Sequence, residues 1–493
     1  MRAAASASAS ASAAVETVNG GRRRVGRGER GTVRTKVRAT VTTGRGMRVV
    51  RAGAKIDFED AGLFELPYAP VAETLLPKGP WKVVEGGVCA AKGFKVAAHK
   101  AGLRATGTRA DCALVLADED AKSAGIFTTN VMCAAPVTVC KDQLAGKPTA
   151  RALLINAGQA NAATGDAGMA DAKETAAELS KSLGVPEEDI LLMSTGVIGK
   201  RMKMDKYMPG ISVLAENVES SVAAANAAAT AICTTDLVRK TVAIELEIGG
   251  KTVRMGGMAK GSGMIHPNMA TMLGVVTCDA AVSSDVWRDI TSRAGSASFN
   301  QISVDGDTST NDSLVCFASG EAGNAEIVDA NGAEAKLLED ALTAVCMGLA
   351  KAIAWDGEGA TCLIECNVSG AGDDEDARVI ARSVICSSLA KAAIFGHDPN
   401  WGRLACAAGY AAPVKSRFSQ DNLKLSLGPH QLMNEGQPLD FDAVAASRYL
   451  KEVTDVHGVC VVDISVGDGP GAGQAWGCDL SYKYVEINAE YTT

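Results

Sequence analysis

Bulky and chemically versatile side chains are scarce in this sequence. Aromatic residues make up 4% of its 493 residues, and histidine occurs five times. Such a chain fills its interior with Ala, Val, Leu and Gly, as closely layered α/β proteins do. The 14 cysteines form no CxxC pair, and Cys362 and Cys366 stand one residue too far apart to make one. With so few histidines to help, no zinc site is expected, and the thiols read as reduced, small core hydrophobes. No apolar run approaches the roughly 18 residues of a membrane-spanning helix. A GxxxxGK[ST] phosphate loop is also missing, so ATP chemistry has no support. The glycines Gly467, Gly469, Gly471 and Gly473 follow a strand-like run but lead into another. Without a helix N-terminus to hold a pyrophosphate they read as a hairpin loop.

Acidic residues are nearly missing from the first 55 positions, which hold 13 of the 49 Lys and Arg but only Glu16 and Glu29 of the 57 acids. The remainder carries 36 basic against 55 acidic residues, a net charge of −19, which argues against a nucleic-acid partner. The head itself, an alternating Ala/Ser tract to Ala14 followed by arginines from Arg22 to Arg51, has the composition of an organelle transit peptide over residues 1–53. Its Ser/Ala richness favours the chloroplast over the mitochondrion.

From about Gly87 onward strand-like runs alternate with helical ones, with no Pro/Ser linker to separate domains. Cys112–Ala117 and Ala152–Asn156 read as buried strands, and Asp171–Leu183 as a helix ended by Gly184. Ile211–Ile232 reads as one Ala-rich helix followed by the polar turn Thr234-Thr235-Asp236. Val242–Ile248 alternates as a half-buried strand and turns through Gly249-Gly250 into Thr252–Met255. Glu334–Ala354 and Asp442–Val453 are amphipathic helices, Val459–Val466 is a strand, and Trp476–Tyr491 is expected to be one long strand. The acids of Asp305-Gly306-Asp307 lack the glycine and closing glutamate of a calcium loop and read as turn chemistry.

The most informative stretch is KGSGMIHPNMATMLGVVTCDA, Lys260 to Ala280. It sets Thr271 between a pliant glycine loop and the strand-like run Met272–Thr277, with Ala270 leaving the preceding carbonyl sterically open. A break between Ala270 and Thr271 would make Thr271 an N-terminus with a hydroxyl nucleophile beside an α-amine of pKa about 7.7–8.0. His266 nearby suits a base or, more simply, a turn.

KGSGMIHPNMATML, Thr128-Thr129-Asn130 with Ala134-Ala135-Pro136, NAGQANAATG (Asn156–Gly165), STGVIG (Ser194–Gly199) and DPNWGR (Asp398–Arg403) together resemble the glutamate N-acetyltransferase / ornithine acetyltransferase family of arginine biosynthesis, from about Gly87 to Thr493. The resemblance implies an α/β fold of stacked β layers flanked by helices, shared with self-cleaving aminopeptidases. It implies an α chain 54–270 and a β chain 271–493 made by autoproteolysis, assembled as a heterotetramer of two of each. It implies acetyl transfer from N-acetylornithine to glutamate through an acetyl ester on Thr271, with no cofactor, and leaves open acetyl-CoA as a second donor. Thr195 and Gly196 match the family's oxyanion pair, and Thr234, Lys260, Glu358, Asn488 and Thr493 its substrate contacts, together with Thr271. Cys278 departs from the family's usual threonine. Two rival readings are a self-cleaving aminopeptidase that passes the acyl group to water, and a non-catalytic amino-acid-binding protein.

Overall fold

Alternation of apolar side chains with a period of two builds two large sheets. The computed structural model describes residues 38–42, 47–51, 66–105, 109–266, 272–411 and 418–490. Ala270, Thr271, Thr493 and most of the transit segment 1–53 lie outside those residues. β1 (Arg38–Thr42) and β2 (Met47–Arg51) pair as an antiparallel hairpin.

The first sheet has nine strands. They are β3 (Trp81–Val83), β4 (Phe94–His99), β5 (Cys112–Phe127), β6 (Thr149–Gln159), β7 (Ile190–Val197), β8 (Lys240–Ile248), β9 (Lys251–Lys260), β10 (Leu273–Cys278) and β12 (Ser313–Ala318). Their order is β3-β8-β9-β10-β12-β5-β6-β7, with β4 also on β5. The register of β5 on β6 shifts between Leu116 and Ala121. Such a bulge bends a long strand, and one strand thereby serves two parts of the sheet.

The second sheet has seven strands in the order β11-β18-β13-β17-β14-β15-β16. These are β11 (Ile302–Ser303), β13 (Leu363–Ala371), β14 (Lys424–Leu427), β15 (His430–Asn434), β16 (Gln437–Pro438), β17 (Val459–Ser465) and β18 (Gly471–Cys478). Between the sheets run α6 (Ser284–Ala297) and α7 (Ala333–Trp355). Their apolar residues share one core with Ile244, Met255, Val276 and Cys316 of the first sheet and with Leu363, Val459 and Trp476 of the second. Buried from Ala344 onward on nearly every face, α7 also packs against α1 (Val71–Thr74).

Outer helices complete the layers. α5 (Val222–Ala231) covers one face of β4 and β5, and α3 (Gly165–Leu183) with α4 (Met204–Glu216) covers the other, while α2 (Ala135–Gly146) packs on β5 and β7. The far face of the second sheet carries α8 (Asp374–Cys386), α9 (Ser388–Phe395), α10 (Trp401–Gly409) and α11 (Ala443–Asp455). The stacked β layers flanked by helices expected from the sequence are present.

Three local expectations need correction. The single helix expected over Ile211–Ile232 is two, because Ser221 caps α5 by accepting from the Ala224 amide at 3.0 Å, and Asn217–Ser221 breaks the run. The long final strand stops at Cys478. Ser481 accepts from the Lys483 amide at 3.1 Å, and α12 (Tyr482–Glu490) follows. The glycine run is no hairpin loop, since β13 lies between β17 and β18 and Gly471 and Gly473 belong to β18 itself.

Leu349 of α7 is fully buried over Gly257 of β9. Its replacement by alanine is expected to lower unfolding free energy by about 2–5 kcal/mol, read as a reduced urea midpoint with an unchanged denaturant slope.

Candidate active site

Lys260 is the last residue of β9 and pairs with Leu273 at the start of β10. Only 5% exposed, its ammonium makes neither an ion pair nor a hydrogen bond among the described residues. Strand pairing therefore sets a buried, unspent cation beside the strand that begins two residues after Thr271.

What holds this corner is a buried ion triad that sequence reasoning missed. Lys240 Nζ lies 2.6 Å from Asp236 Oδ1 and 2.6 Å from Asp356 Oδ2, with the lysine side chain wholly out of water. Each acid does a second task. Asp236 accepts from the Gly261 amide at 2.8 Å and from the Thr234 amide at 2.9 Å. Asp356 accepts from the amides of Leu237 and Val238 at 3.0 and 3.3 Å. The triad thus fixes the Thr234 turn, the loop after Lys260 and the end of α7 relative to one another. Its only sequence signal was an acid in the TTD turn and another opening DGEGAT.

Burial alone would raise Asp236, yet the charges of Lys240 and Lys260 and the Gly261 amide hold it well below the ordinary carboxylate range. Burial would likewise drain Lys240, and its two acids more than restore it. Asp356 goes the other way: burial pushes it up to about 6, with Lys240 pulling down and Asp236 pushing up.

Glu358 follows two residues after Asp356. Its amide donates to Ser262 O at 2.9 Å, and its Oε2 accepts from Asn488 Nδ2 of α12 at 2.9 Å. A Cβ on Gly263 would stand 2.4 Å from Glu358 Oε2, so any larger residue there would push the carboxylate from its present place. The loop and α12 are further joined by Ser481, which donates to Gly359 O at 2.6 Å. The structure therefore brings Thr234, Lys260, Glu358 and Asn488 onto one connected framework.

Thr195 and Gly196 lie one residue before the end of β7, in parallel register with Ala157 and Gly158 of β6. Gly196 has φ 129°, and a Cβ on it would lie 2.3 Å from the Gly158 carbonyl carbon, so only glycine fits. The Thr195 hydroxyl donates no hydrogen bond among the described residues. Asn311 connects this pair to the rest, its Nδ2 donating to Ala160 O at 2.6 Å and Ser194 O at 2.8 Å. Two residues on, the Ser313 amide donates to Met272 O at 3.0 Å. The segment Asn311–Ser313 is thus a strap from the Thr195-Gly196 end of β7 to the residue after Thr271. Asp305, in the turn before it, accepts from the Met264 and Ile265 amides at 2.6 and 2.8 Å, so the expected turn chemistry also ties down the glycine loop.

The remaining sequence candidates fall elsewhere. His266 Nδ1 lies 3.3 Å from both Ser303 Oγ and Cys386 Sγ, and burial followed by the Arg382 charge lowers its pKa. All 14 cysteines are free thiols. Ala270, Thr271 and Thr493 lie outside the described residues.

Residues 95–493 match the ArgJ family. The chain belongs to that family. As a member it is similar to the arginine biosynthesis bifunctional protein ArgJ, chloroplastic, of Ostreococcus lucimarinus, at 83% identity over 94% of this chain and 100% of that one. The rice protein of the same name, from Oryza sativa subsp. indica, is 58% identical over 86% of this chain and 91% of its own. Among solved structures, the ornithine acetyltransferase of Mycobacterium tuberculosis, complexed with ornithine, matches 38% of this ArgJ chain and 98% of its own at 34% identity and a TM-score of 0.35.

In this ArgJ chain Asp356 binds its proton more tightly folded than unfolded, its pKa rising from 3.8 to about 6. Its contribution to stability is therefore full below the unfolded value and lost as pH rises through about 6. Urea unfolding of wild type and Asp356→Asn between about pH 4 and pH 7 should show the wild type losing as much as about 3 kcal/mol relative to the variant. A pH-independent difference would contradict this.

Proposed function

We propose that this chain transfers the acetyl group of N2-acetyl-L-ornithine to L-glutamate, giving L-ornithine and N-acetyl-L-glutamate, and that it also makes N-acetylglutamate from acetyl-CoA. Membership of a family whose relatives are named for bifunctional arginine biosynthesis supports the activity, and their chloroplastic names support a chloroplast location. The observation that carries the reading at the site is Lys260, a buried cation with no partner among the described residues, on the strand next to the one that begins at Leu273, two residues after Thr271. Both substrates bring an α-carboxylate that such a cation would take.

In this reading the Ala270–Thr271 bond breaks and leaves an α chain 54–270 and a β chain 271–493, assembled as two of each. The Thr271 amine then takes the proton of its own hydroxyl as that oxygen attacks the acetyl carbonyl of acetylornithine. Thr195 and Gly196 would steady the oxyanion of the tetrahedral intermediate, a donor contribution typically of about 100 to 1000-fold in rate. Ornithine leaves, and the α-amine of glutamate attacks the acetyl ester at the same site. Glu358, oriented by Asn488, suits the ammonium of ornithine. Thr234 and Thr493 complete the substrate contacts, and no cofactor takes part.

An acetyl-transfer assay with each donor separately, on wild type and Thr271→Ala, tests this. Wild type should split on denaturing electrophoresis and form acetylglutamate from either donor, while Thr271→Ala does neither. Full transfer by an unsplit variant would overturn the mechanism. Release of acetate without acetylglutamate would favour a hydrolase of the self-cleaving aminopeptidase kind.

A further inference from the structure

Asp312 sits in the strap between the Thr195-Gly196 end of β7 and β10, and it is 2% exposed. Its backbone is pinned on both sides: its carbonyl accepts from the Thr128 amide at 3.0 Å, and the next amide, of Ser313, donates to Met272 O at 3.0 Å. The Met272 amide lies close enough to its carboxyl group to oppose the rise that burial imposes. The second carboxyl oxygen, Oδ2, is buried and has no hydrogen-bond partner.

A carboxylate kept for structure alone is treated differently in this chain. Asp111, 1% exposed, fills both oxygens with the amides of Ala101, Gly102, Leu103 and Arg104, at 2.6 to 3.2 Å. Asp479, 2% exposed, accepts from the Thr361 amide and hydroxyl and from the Cys362 amide. Buried polar atoms are normally satisfied in this way. An unpartnered buried oxygen on Asp312 is the arrangement of a group that holds a proton, because a carboxylic acid loses far less than a carboxylate by lacking donors. Its electrostatics agree: burial raises Asp312 well above the ordinary carboxylate range, against the opposing Met272 amide and Lys260 charge.

Covalent geometry supplies the target. The Met272 nitrogen that meets Asp312 is three bonds from the Thr271 nitrogen, so the carboxyl group is anchored within a few ångströms of the bond to be cut. We propose that Asp312 is the proton-holding residue of the Ala270–Thr271 cleavage, delivering the proton that the Thr271 nitrogen gains as its bond to Ala270 breaks. The inference rests on the Thr271 reading above. The Thr271 hydroxyl oxygen adds to the Ala270 carbonyl carbon and gives up its proton. The C–N bond breaks and the nitrogen gains one, leaving an ester and a free amine. Asp312 gives a proton to nitrogen and recovers the one lost by the hydroxyl, so it emerges unchanged. Water then hydrolyses the ester to the Ala270 carboxylate and the Thr271 hydroxyl.

Full-length wild type, Asp312→Asn, Asp312→Glu and Thr271→Ala, made by cell-free synthesis, would be followed by denaturing electrophoresis across about pH 5 to 10. Asparagine keeps an oxygen acceptor for the Met272 amide but holds no transferable proton. Asp312→Asn should split at least about 100-fold more slowly, the lower end of general acid–base contributions. Asp312→Glu should recover part of the rate. Wild-type cleavage should slow at high pH as the acid ionises, and Asp312→Asn should lack that limb. Splitting of Asp312→Asn at the wild-type rate with the wild-type pH profile overturns the proposal. If that variant does not fold, Asp312→Ser takes its place, and its splitting at the wild-type rate with the wild-type pH profile likewise overturns the proposal. Splitting of Thr271→Ala would instead sink the nucleophile reading and is separately visible.

Discussion

The candidate site depends on one interaction, the contact of Lys240 with Asp236 and Asp356 in a space without water. Buried ion pairs are weak sources of net stability, because stripping water from each charge costs about as much as the pairing returns. Their value lies in geometry. Each acid here has oxygens left over, and they bind backbone amides of Thr234, Gly261, Leu237 and Val238. Three segments far apart in sequence are fixed to one cation. Removing Lys240 would leave two acids facing each other without compensation, so the triad can hold only one arrangement of these segments.

A second tie runs through Asn311, Asp312 and Ser313. Thr195 and Lys260 lie on strands separated within the sheet by β10, β12, β5 and β6. Flat spacing of about 4.8 Å per strand would keep them more than 20 Å apart. The bulge in β5 and the side chain of Asn311, reaching Ala160 O and Ser194 O, bring the end of β7 to the start of β12. The curvature of the sheet is therefore part of the site.

Much of this was legible in the sequence, and what was not has identifiable causes. Long periodic runs such as Ala333–Trp355 and the Gly249-Gly250 hairpin were clear because local pattern and tertiary burial agree there. The helix break at Ser221 and the start of α12 at Ser481 were hidden, since each rests on a single capping hydroxyl inside a run whose spacing suited another reading. Trp476 and Cys478 alternate as strand residues, and Tyr482 and Tyr484 continue the alternation by accident, Tyr482 being 85% exposed on a helix. The candidate site residues were chosen by their motifs, which record chemistry. Lys240, Asp356 and Asn311 were missed because Lys240 meets Asp356 across 116 residues and Asn311 meets Ser194 and Ala160 across 117 and 151, separations that local spacing cannot reveal.

Charge distribution explains why Lys260 remains available. Asp236 is drawn down by the Lys240 charge first and the Lys260 charge after it, but its oxygens are taken by Lys240 and two amides, so it makes no ion pair with the second lysine. Asp356, with its proton held up to about 6, and Asp312, raised further by burial, carry less negative charge than three buried acids otherwise would. Two lysines thus face, in effect, one firmly ionised acid and two reluctant ones. The surplus is positive and sits on Lys260. In the proposed reading an arriving carboxylate would restore balance there, and the same field would oppose any cation at that position. In the proposed reading ornithine's ammonium would fall to Glu358, which Asn488 aligns. On that proposal the two ends of an amino acid would be told apart by which buried charges have been spent before it arrives.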